Sequence, residues 1–91
     1  MTIRRLLVHG RVQGVWYRGW TIAQAGELGV DGWVRNRRDG TVEILASGPQ
    51  EAVAELTARC RKGPPAARVA RIEELDADEI PAPGFIQRPT A

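Results

Sequence analysis

The sequence predicts an α+β domain in which two helices lie on one face of a mostly antiparallel sheet of four to five strands. Two segments repeat their apolar residues at helical spacing, and they alternate with segments that are continuously apolar or alternate apolar with polar residues. Glycine and proline separate these segments, and an Asp-Gly pair marks a tight hairpin. The predicted order is β-α-β-β-α-β, with a short additional strand near the last residues.

The segment that ends at Gly29 predicts a strand, a glycine-containing loop and a helix. Ile3–Gly10 is apolar enough for a central strand, and Gly10 either ends that strand or forms a bulge in it. Helical spacing begins at about Trp16 and continues to Glu27, and Gly29 is suited to end the helix in a left-handed conformation. The inward stripe of this helix consists of Tyr17, Thr21, Ala25 and Leu28.

A hairpin is predicted after the first helix. Val30–Asn36 predicts the second strand, with Trp33 on the opposite face from Val34. Asp39-Gly40 supplies the positive φ angles that a tight hairpin turn needs. Thr41–Ser47 alternates apolar with polar residues and predicts the third strand.

The second helix is expected to follow the third strand directly. Ser47 or Gly48 can cap it, and Pro49 suits its first turn because proline is tolerated there. The helical pattern continues to about Lys62, where a Gly-Pro-Pro stretch breaks it. Its inward face is formed by Val53, Leu56 and Cys60.

Two more strands complete the predicted sheet. Arg68–Leu75 predicts the fourth strand, with Val69 and Ile72 inward, and Gly84–Arg88 predicts a short fifth strand at a sheet edge. Residues 75–83 between them follow no recognisable pattern. The order of elements is that of the split βαβ, or ferredoxin-like, sandwich.

This topology brings two polar segments to one edge of the sheet. The first and second strands are joined through a helix, so they run parallel and their carboxyl ends point the same way. The loop Arg11–Arg18 follows the first strand, and Asn36 closes the second. Since crevices beyond the carboxyl ends of parallel strands are common ligand sites, we expect the loop and Asn36 to form one site.

The loop and the start of the helix have the chemistry of a phosphate site. A helix N-terminus presents unpaired N–H groups, and Gly14 lets the backbone approach a ligand closely. Arg18, in the first turn, can hold two phosphate oxygens in a fork. The loop lacks the lysine and Ser/Thr of a nucleotide P-loop. Taken alone, the same residues also fit a tight turn with a solvated arginine, and it is the convergence with Asn36 that favours a site.

Asn36 carries a donor and an acceptor on one amide, which can orient a water molecule without taking its proton. An asparagine beside a turn also often does no more than cap the backbone. The other charged residues near the hairpin are expected to be solvated or to serve the turn. They are Asp31, Arg35, Arg37, Arg38, Asp39 and Glu43.

Few other side chains are suited to catalysis. His9 is the single histidine and Cys60 the single cysteine, so they provide no metal cluster, and Ser47 has no base in a recognisable arrangement. Any chemistry would therefore depend on Arg18, an amide and backbone dipoles, which requires a substrate with a good leaving group. An acyl phosphate meets this requirement because its leaving group is a carboxylate.

Composition limits the broad class of the protein. A chain of 91 residues predicts one domain, residues 1–91, and its only cysteine, Cys60, fits a reducing compartment. The short apolar run after Arg4 and Arg5 is insufficient for a leader or a membrane span. We therefore expect a cytoplasmic monomer without a membrane or nucleic-acid partner. The net charge of +2 and the pI of about 9.3 suit an anionic ligand.

Three ordered motifs resemble the acylphosphatases, small ferredoxin-like enzymes that hydrolyse the carboxyl–phosphate bond. These are GRVQGVWYR, LGVDGWVRNRRDGTVEI and KGPPAARV, with an echo at GFIQR. The resemblance implies that Arg18 binds the substrate phosphate, that Asn36 positions the attacking water, and that no metal or organic cofactor takes part. It also implies direct in-line attack of water, with the substrate phosphate as a proton acceptor. The implied phosphate-binding loop consists of Arg11, Val12, Gln13, Gly14, Val15, Trp16 and Tyr17.

The one departure at the site is the pair Trp16-Tyr17, since the family often has phenylalanine at the second position. Tyr17 is still expected to pack inward, where its hydroxyl would need a hydrogen-bond partner. Two alternatives stay open beside a small-molecule acyl phosphate hydrolase. One is a non-catalytic phosphate-binding or regulatory module, which would not need a water-positioning amide. The other is an RNA-binding domain of the same topology, which would display aromatic residues on its central strands.

Overall fold

The computed structural model describes residues 1–91 and has the predicted order of helices and strands. In chain order the elements are β1 (Thr2–Arg11), α1 (Tyr17–Leu28), β2 (Asp31–Asn36), β3 (Val42–Gly48), α2 (Gln50–Lys62), β4 (Arg68–Asp76) and β5 (Phe85–Gln87). The ferredoxin-like prediction is thus confirmed, including the fifth strand.

The strands form one mixed sheet in the order β4-β1-β3-β2-β5. Every neighbouring pair is antiparallel except β2 and β5, which run parallel with Val34 opposite Gln87. Because β3 lies between β1 and β2 and runs against both, β1 and β2 are parallel to each other. Their carboxyl ends therefore reach the same edge of the sheet, as predicted.

The two helices cover one face of the sheet and enclose the apolar core. The buried side chains of this core are Leu6, Val8, Val12, Tyr17, Ala25, Val30, Val34, Val42, Ile44, Ala46, Val53, Leu56 and Cys60. They include the inward residues predicted for α2, and Tyr17 and Ala25 of those predicted for α1. Thr21 is also buried, and Leu28 is partly buried against the core. At about 25 cal/mol per Å² of apolar area, burial of such side chains is the main stabilising contribution to a domain of this size. Neither helix has the length and apolar character needed to span a membrane.

A bulge interrupts β1 near its end. The register of β1 against β4 shifts between His9 and Gly10, and Gly10 has a φ of +126°. A Cβ atom at Gly10 would lie 2.1 Å from the carbonyl oxygen of Arg68, so only glycine fits this close approach. The strand continues for one residue beyond the bulge and ends at Arg11.

The start of α2 differs from the prediction. Ser47 and Gly48 do not cap the helix, because β3 continues through both of them and pairs with β1. Pro49 takes the capping position instead, and the helix begins at Gln50. The sheet pairing of Ser47 and Gly48 outweighs the capping preference of a serine, which is a local effect.

The face of the sheet without helices carries a buried charged group, and here the prediction for Glu43 and Arg35 is wrong. Glu43 is only 3% exposed and accepts hydrogen bonds from Arg5 and Arg35. Burial raises the pKa of this carboxyl, but the hydrogen bonds and charges of the two arginines outweigh it, and the pKa lies below its ordinary value. Register explains the burial, since Arg35 lies opposite Glu43 and Leu7 on the other side of it.

Trp33 lies on this same face, opposite the core, as predicted. The guanidinium groups of Arg35 and Arg88 lie 4.7 and 4.5 Å from the centre of its ring. Its indole N–H donates to Glu79 at 3.0 Å. Glu79 belongs to the segment 75–83, for which the sequence predicted no structure, and that segment covers Trp33.

Candidate active site

A cavity of about 170 Å³ opens at the sheet edge where β1 and β2 end. It is lined by Val12, Gly14, Trp16, Tyr17, Arg18, Gly19, Asn36 and Gln87. The loop after β1 and the last residue of β2 thus meet in one concave site. Arg18 and Asn36 thus line the same cavity, as the predicted topology required.

The loop leaves a run of backbone N–H groups available at the start of α1. None of the residues from Gln13 to Gly19 donates its N–H to another group of the protein. The first backbone bond of the helix is from Trp20 N to Trp16 O, at 3.0 Å. The helix has neither a side-chain cap nor an acidic residue in its first turn. Its positive dipole end therefore faces the cavity without an internal anion.

Two residues of the loop have left-handed backbone angles. Gly14 has a φ of +74°, and Trp16, at the capping position of α1, has a φ of 65° and a ψ of 25°. Alternation of right- and left-handed residues turns successive N–H groups toward one point, the geometry of an anion-binding nest. The loop is therefore shaped to surround a group that accepts several hydrogen bonds.

Arg18 brings a free positive charge to the same cavity. Its side chain is half-buried in the first turn of α1 and takes part in no ion pair of the protein. By contrast, Arg59 on α2 is held by both Glu27 and Glu55. A guanidinium group without a carboxylate partner beside unpaired N–H groups is suited to bind a phosphate in a bidentate manner.

Asn36 contributes an unpaired acceptor. Its Oδ1 atom is buried and has no hydrogen-bond partner in the protein, and it is the only buried side-chain polar atom of which this is true. Its backbone is held on both sides, since it pairs with Val42 of β3 and its carbonyl accepts from Ala91 N at 3.0 Å. A buried unpaired acceptor is unfavourable unless a ligand or water satisfies it, so it indicates a binding role.

Gln13 joins the loop to the hairpin that follows Asn36. Its Nε2 donates to the carbonyls of Arg37 at 2.8 Å and Thr41 at 2.9 Å. Asp39 shapes the same turn by accepting from the N–H and the hydroxyl of Thr41, which hold the pKa of Asp39 below its usual value. The predicted turn role of Asp39 is correct, but of the Asp39-Gly40 pair only Gly40 has the predicted positive φ, at +93°.

Tyr17 anchors the start of α1 to the second helix. It is buried, as predicted, and its hydroxyl donates to the Cys60 carbonyl at 2.6 Å. Burial raises the pKa of Tyr17 and raises that of the neighbouring Cys60 thiol to about 12. Both groups are therefore neutral at physiological pH, and their contribution is structural.

The structure divides the predicted loop residues into two sets. Val12, Gly14, Trp16 and Tyr17 line the cavity, whereas Arg11, Gln13 and Val15 do not. Arg11 is exposed at the end of β1 opposite Arg68, and Val15 packs against the core. Their backbone and packing shape the loop from outside the cavity.

Two cavity residues were not predicted, Gly19 and Gln87. Gln87 enters the site because β5 pairs in parallel with β2, which puts it beside Val34 on the helix-covered face. The sequence indicated a short edge strand here, but it carried no signal for the neighbour or direction of that strand. Gly19 carried the weaker signal that a glycine inside a helix is unfavourable without a packing or functional reason.

A second, shallower depression of about 300 Å³ lies between the helices and contains none of the predicted site residues. Its lining residues are Trp20, Glu55, Ala58, Arg59, Lys62 and Gly63. Its arginine is already paired with acids, and the carboxylate of Glu55 in its lining opposes an anion near Lys62, so it is a poor anion site. The cavity at the end of β1 and β2 is the better candidate.

The chain is similar to proteins of one family over almost its whole length. Residues 4–86 match the family model for Acylphosphatase. The chain is 58% identical to the acylphosphatase of Rhizorhabdus wittichii over 87 residues, which is 96% of this chain and 88% of that protein. It is 52% identical to the acylphosphatase of Nitrobacter hamburgensis over 94 residues, covering 97% and 95% of the two chains.

Solved structures agree with this similarity. The crystal structure of acylphosphatase from Bacillus subtilis superimposes with a TM-score of 0.88 at 34% identity, covering 96% of this chain and 97% of that one. The structure of an acylphosphatase from Coxiella burnetii gives a TM-score of 0.90 at 33% identity, covering 96% and 92%. The arrangement of helices and strands described above is therefore shared with these enzymes.

Proposed function

The chain belongs to the acylphosphatase family and hydrolyses acyl phosphates, and we propose that Arg18 and the loop 11–17 hold the phosphate while Asn36 orients the attacking water. The buried, unpaired Oδ1 of Asn36 in the same cavity as Arg18 carries this proposal. A site that only bound phosphate would need donors, whereas this site also keeps an acceptor free.

The phosphate is held by donors that are already in position. The N–H groups of the loop and of the first turn of α1 have no partner in the protein, and Arg18 adds a charged fork. These donors contact the non-bridging oxygens, on which negative charge is spread in the transition state. Because they are fixed by the fold, little reorganisation is required when the reaction occurs.

Asn36 acts as a positioning acceptor for water. Its Oδ1 accepts a hydrogen bond from the water and so directs an oxygen lone pair at phosphorus, in line with the carboxylate that leaves. Water adds to phosphorus as the bond from phosphorus to the acyl oxygen breaks. The products are a carboxylate and inorganic phosphate, and the water proton passes to a phosphate oxygen.

No side chain has to protonate the leaving group. A carboxylate is the conjugate base of an acid with a pKa of about 4, so it departs as an anion at neutral pH. This chemistry accounts for a site that contains an arginine, an amide and backbone N–H groups. We propose that the reaction needs neither a metal ion nor an organic cofactor.

The test is the hydrolysis of benzoyl phosphate in the presence of EDTA by the wild type, Arg18→Ala and Asn36→Ala. We expect wild-type turnover to persist, Arg18→Ala to lose at least about a thousandfold in kcat/KM, and Asn36→Ala to lose about a hundredfold or more in kcat. Arg38→Ala is the matched control because Arg38 is exposed and lies outside the cavity. Its rate is expected to stay within about threefold of the wild type.

The variants separate the proposed roles once circular dichroism has shown that each is folded. Turnover that survives in Asn36→Ala would retain the phosphate site and refute the water-positioning role. Turnover that EDTA abolishes would refute the metal-independent reaction. Phosphate binding without any turnover by the wild type would contradict catalysis and indicate the regulatory module.

We further propose that residues 1–91 form one domain that acts as a cytoplasmic monomer on a small-molecule substrate. The edge strand β4 is rich in charged residues, and β5 is short and closely followed by Pro89, features that oppose pairing between sheets. The single cysteine is buried and unpaired, which fits a reducing compartment. Trp33 is buried, so this sheet face lacks the exposed aromatic residues that bind RNA. Light scattering measures the oligomeric state directly.

A further inference from the structure

The three tryptophans of the chain differ in their exposure. Trp33 is 2% exposed and Trp20 is half-buried against the core, whereas Trp16 is 68% exposed. Trp16 is also the one exposed large apolar residue that lines the cavity with Arg18 and Asn36. An exposed indole on the rim of a polar cavity has no role in the core, so its role lies in what the cavity binds.

The backbone at Trp16 is unfavourable for a side chain of this size. Trp16 is the only residue other than glycine with a positive φ. Bulky side chains rarely adopt this conformation, and it is found where function or surrounding structure requires it. A glycine would take the same angles freely, so folding alone does not favour tryptophan here.

The indole of Trp16 packs against the backbone of Gly19, which holds the ring in place. A Cβ atom at residue 19 would lie 2.2 Å from Nε1 and 2.9 Å from Cε2 of Trp16. The ring therefore lies directly against the Gly19 backbone, in space that any other residue would fill. Gly26, in the same helix, has open space at the same position and gives a direct comparison.

On the basis of the proposed function, we propose that the Trp16 indole packs against the acyl group of the substrate and makes the enzyme selective for aromatic acyl phosphates. The phosphate is held by the loop amides and Arg18, and the acyl group extends over the cavity rim, where the indole presents an apolar surface. Flat aromatic groups stack on an indole, whereas an acetyl group has little surface to bury.

The experiment measures kcat/KM for benzoyl phosphate and for acetyl phosphate and takes their ratio. Both substrates carry the same phosphate, so a change in the phosphate site alters both rates and leaves the ratio unchanged. We expect the ratio to fall about tenfold in Trp16→Gly, which removes the ring and relieves the backbone, and to stay within about threefold in Trp16→Phe. The lower ratio is expected to come mainly from a higher KM for benzoyl phosphate.

The glycines of α1 provide a matched pair of variants. Gly19→Ala puts a methyl group where the indole lies and is expected to lower the benzoyl-to-acetyl ratio, whereas Gly26→Ala is expected to leave it unchanged. Both changes replace a glycine of α1 by a better helix former. Gly19 also lines the cavity, but an effect on the phosphate site applies to both substrates and cancels in the ratio. Competitive inhibition by phenylphosphonate relative to methylphosphonate reports the same selectivity without catalysis.

The outcomes separate this inference from the proposed function. A wild type that hydrolyses both substrates, with a ratio unchanged in Trp16→Gly, would overturn the role of Trp16 and leave the hydrolase intact. An equal fall of the ratio in Gly19→Ala and Gly26→Ala would also overturn it. A folded wild type that hydrolyses neither substrate would refute the proposed function and this inference together.

Discussion

The two halves of the site are held in place by different kinds of interaction. The loop half, residues 11–18, is fixed by backbone geometry and by neutral hydrogen bonds from Gln13 and Tyr17. The strand half, residues 35–43, is stabilised on the sheet face without helices by the buried Glu43, which lies between Arg5 and Arg35. One site therefore combines a part held by neutral hydrogen bonds with a part whose stability depends on an ionised carboxylate.

The largest effect is expected from Glu43→Gln, which removes the carboxylate that stabilises the strand half. At pH 7 the free energy of unfolding should fall by about 2 kcal/mol, because an amide replaces a charged acceptor of two arginines. The pKa of Glu43 is lowered in the folded protein from its ordinary 4.5. Its contribution is therefore complete above that value and is lost as the pH falls through the lowered pKa.

Urea denaturation of the wild type and Glu43→Gln at pH 7 and at about pH 3 measures this contribution. The difference between the two proteins should shrink at the lower pH, where the wild-type carboxyl becomes protonated. Asp78→Asn serves as the control because Asp78 is exposed and takes part in no ion pair. A difference that is equal at both pH values would show that the charge of Glu43 is irrelevant.

A middle-sized effect is expected from uncoupling the halves with Gln13→Met. Methionine keeps the length of the side chain but removes both donors to the hairpin, so Asn36 is no longer fixed relative to the loop. We expect kcat for acetyl phosphate to fall about tenfold, the cost of a small misplacement of a reacting group. Inhibition by inorganic phosphate should change less, because the loop amides and Arg18 remain.

Gln50→Met is the matched change at an exposed glutamine in α2 and should leave kcat unaltered. Loss of phosphate affinity in Gln13→Met in parallel with kcat would instead mean that Gln13 shapes the loop itself. The split between kcat and phosphate inhibition thus decides whether Gln13 connects the two halves.

The smallest effect is expected from Tyr17→Phe, which removes one of the hydrogen bonds that hold the loop half. Loss of the hydroxyl leaves the Cys60 carbonyl without this donor and should lower the free energy of unfolding by about 1 kcal/mol. Since burial raises the pKa of both Tyr17 and Cys60, this loss should be constant between about pH 5 and pH 9. A loss that varies across that range in chemical denaturation would contradict the neutral anchor and weaken the contrast with Glu43.

The sequence predicted the helices and strands because these depend on local patterns. It also predicted that Arg18 and Asn36 lie in one site, because two strands joined through a helix run parallel and end at the same sheet edge. Apolar periodicity located both helices, and the Asp-Gly pair located the hairpin. The family resemblance of the three motifs is confirmed, and the roles of Arg18 and Asn36 remain proposals. The same patterns failed at Glu43, since alternation in β3 marked it as outward and gave no sign that two arginines would bury it.

Two further features could not be predicted from the sequence. They are the packing of the Trp16 ring against Gly19 and the position of Gln87 in the cavity. The first depends on a backbone conformation that tryptophan rarely adopts, and the second on which strand β5 pairs with. Local secondary-structure propensity specifies neither arrangement.

Local sequence patterns are sufficient to predict the alternation of helices and strands, the glycine-containing loop before α1, and the placement of that loop and Asn36 at one sheet edge. These follow from periodicities of 3.6 and 2 and from the parallel course of strands joined by a helix. The folded chain, by contrast, establishes which charges are buried, which side chain joins the loop to the hairpin, and which aromatic ring faces the cavity. Those features arise from contacts between residues far apart in the chain, whose energies depend on burial and distance and leave no periodic signal.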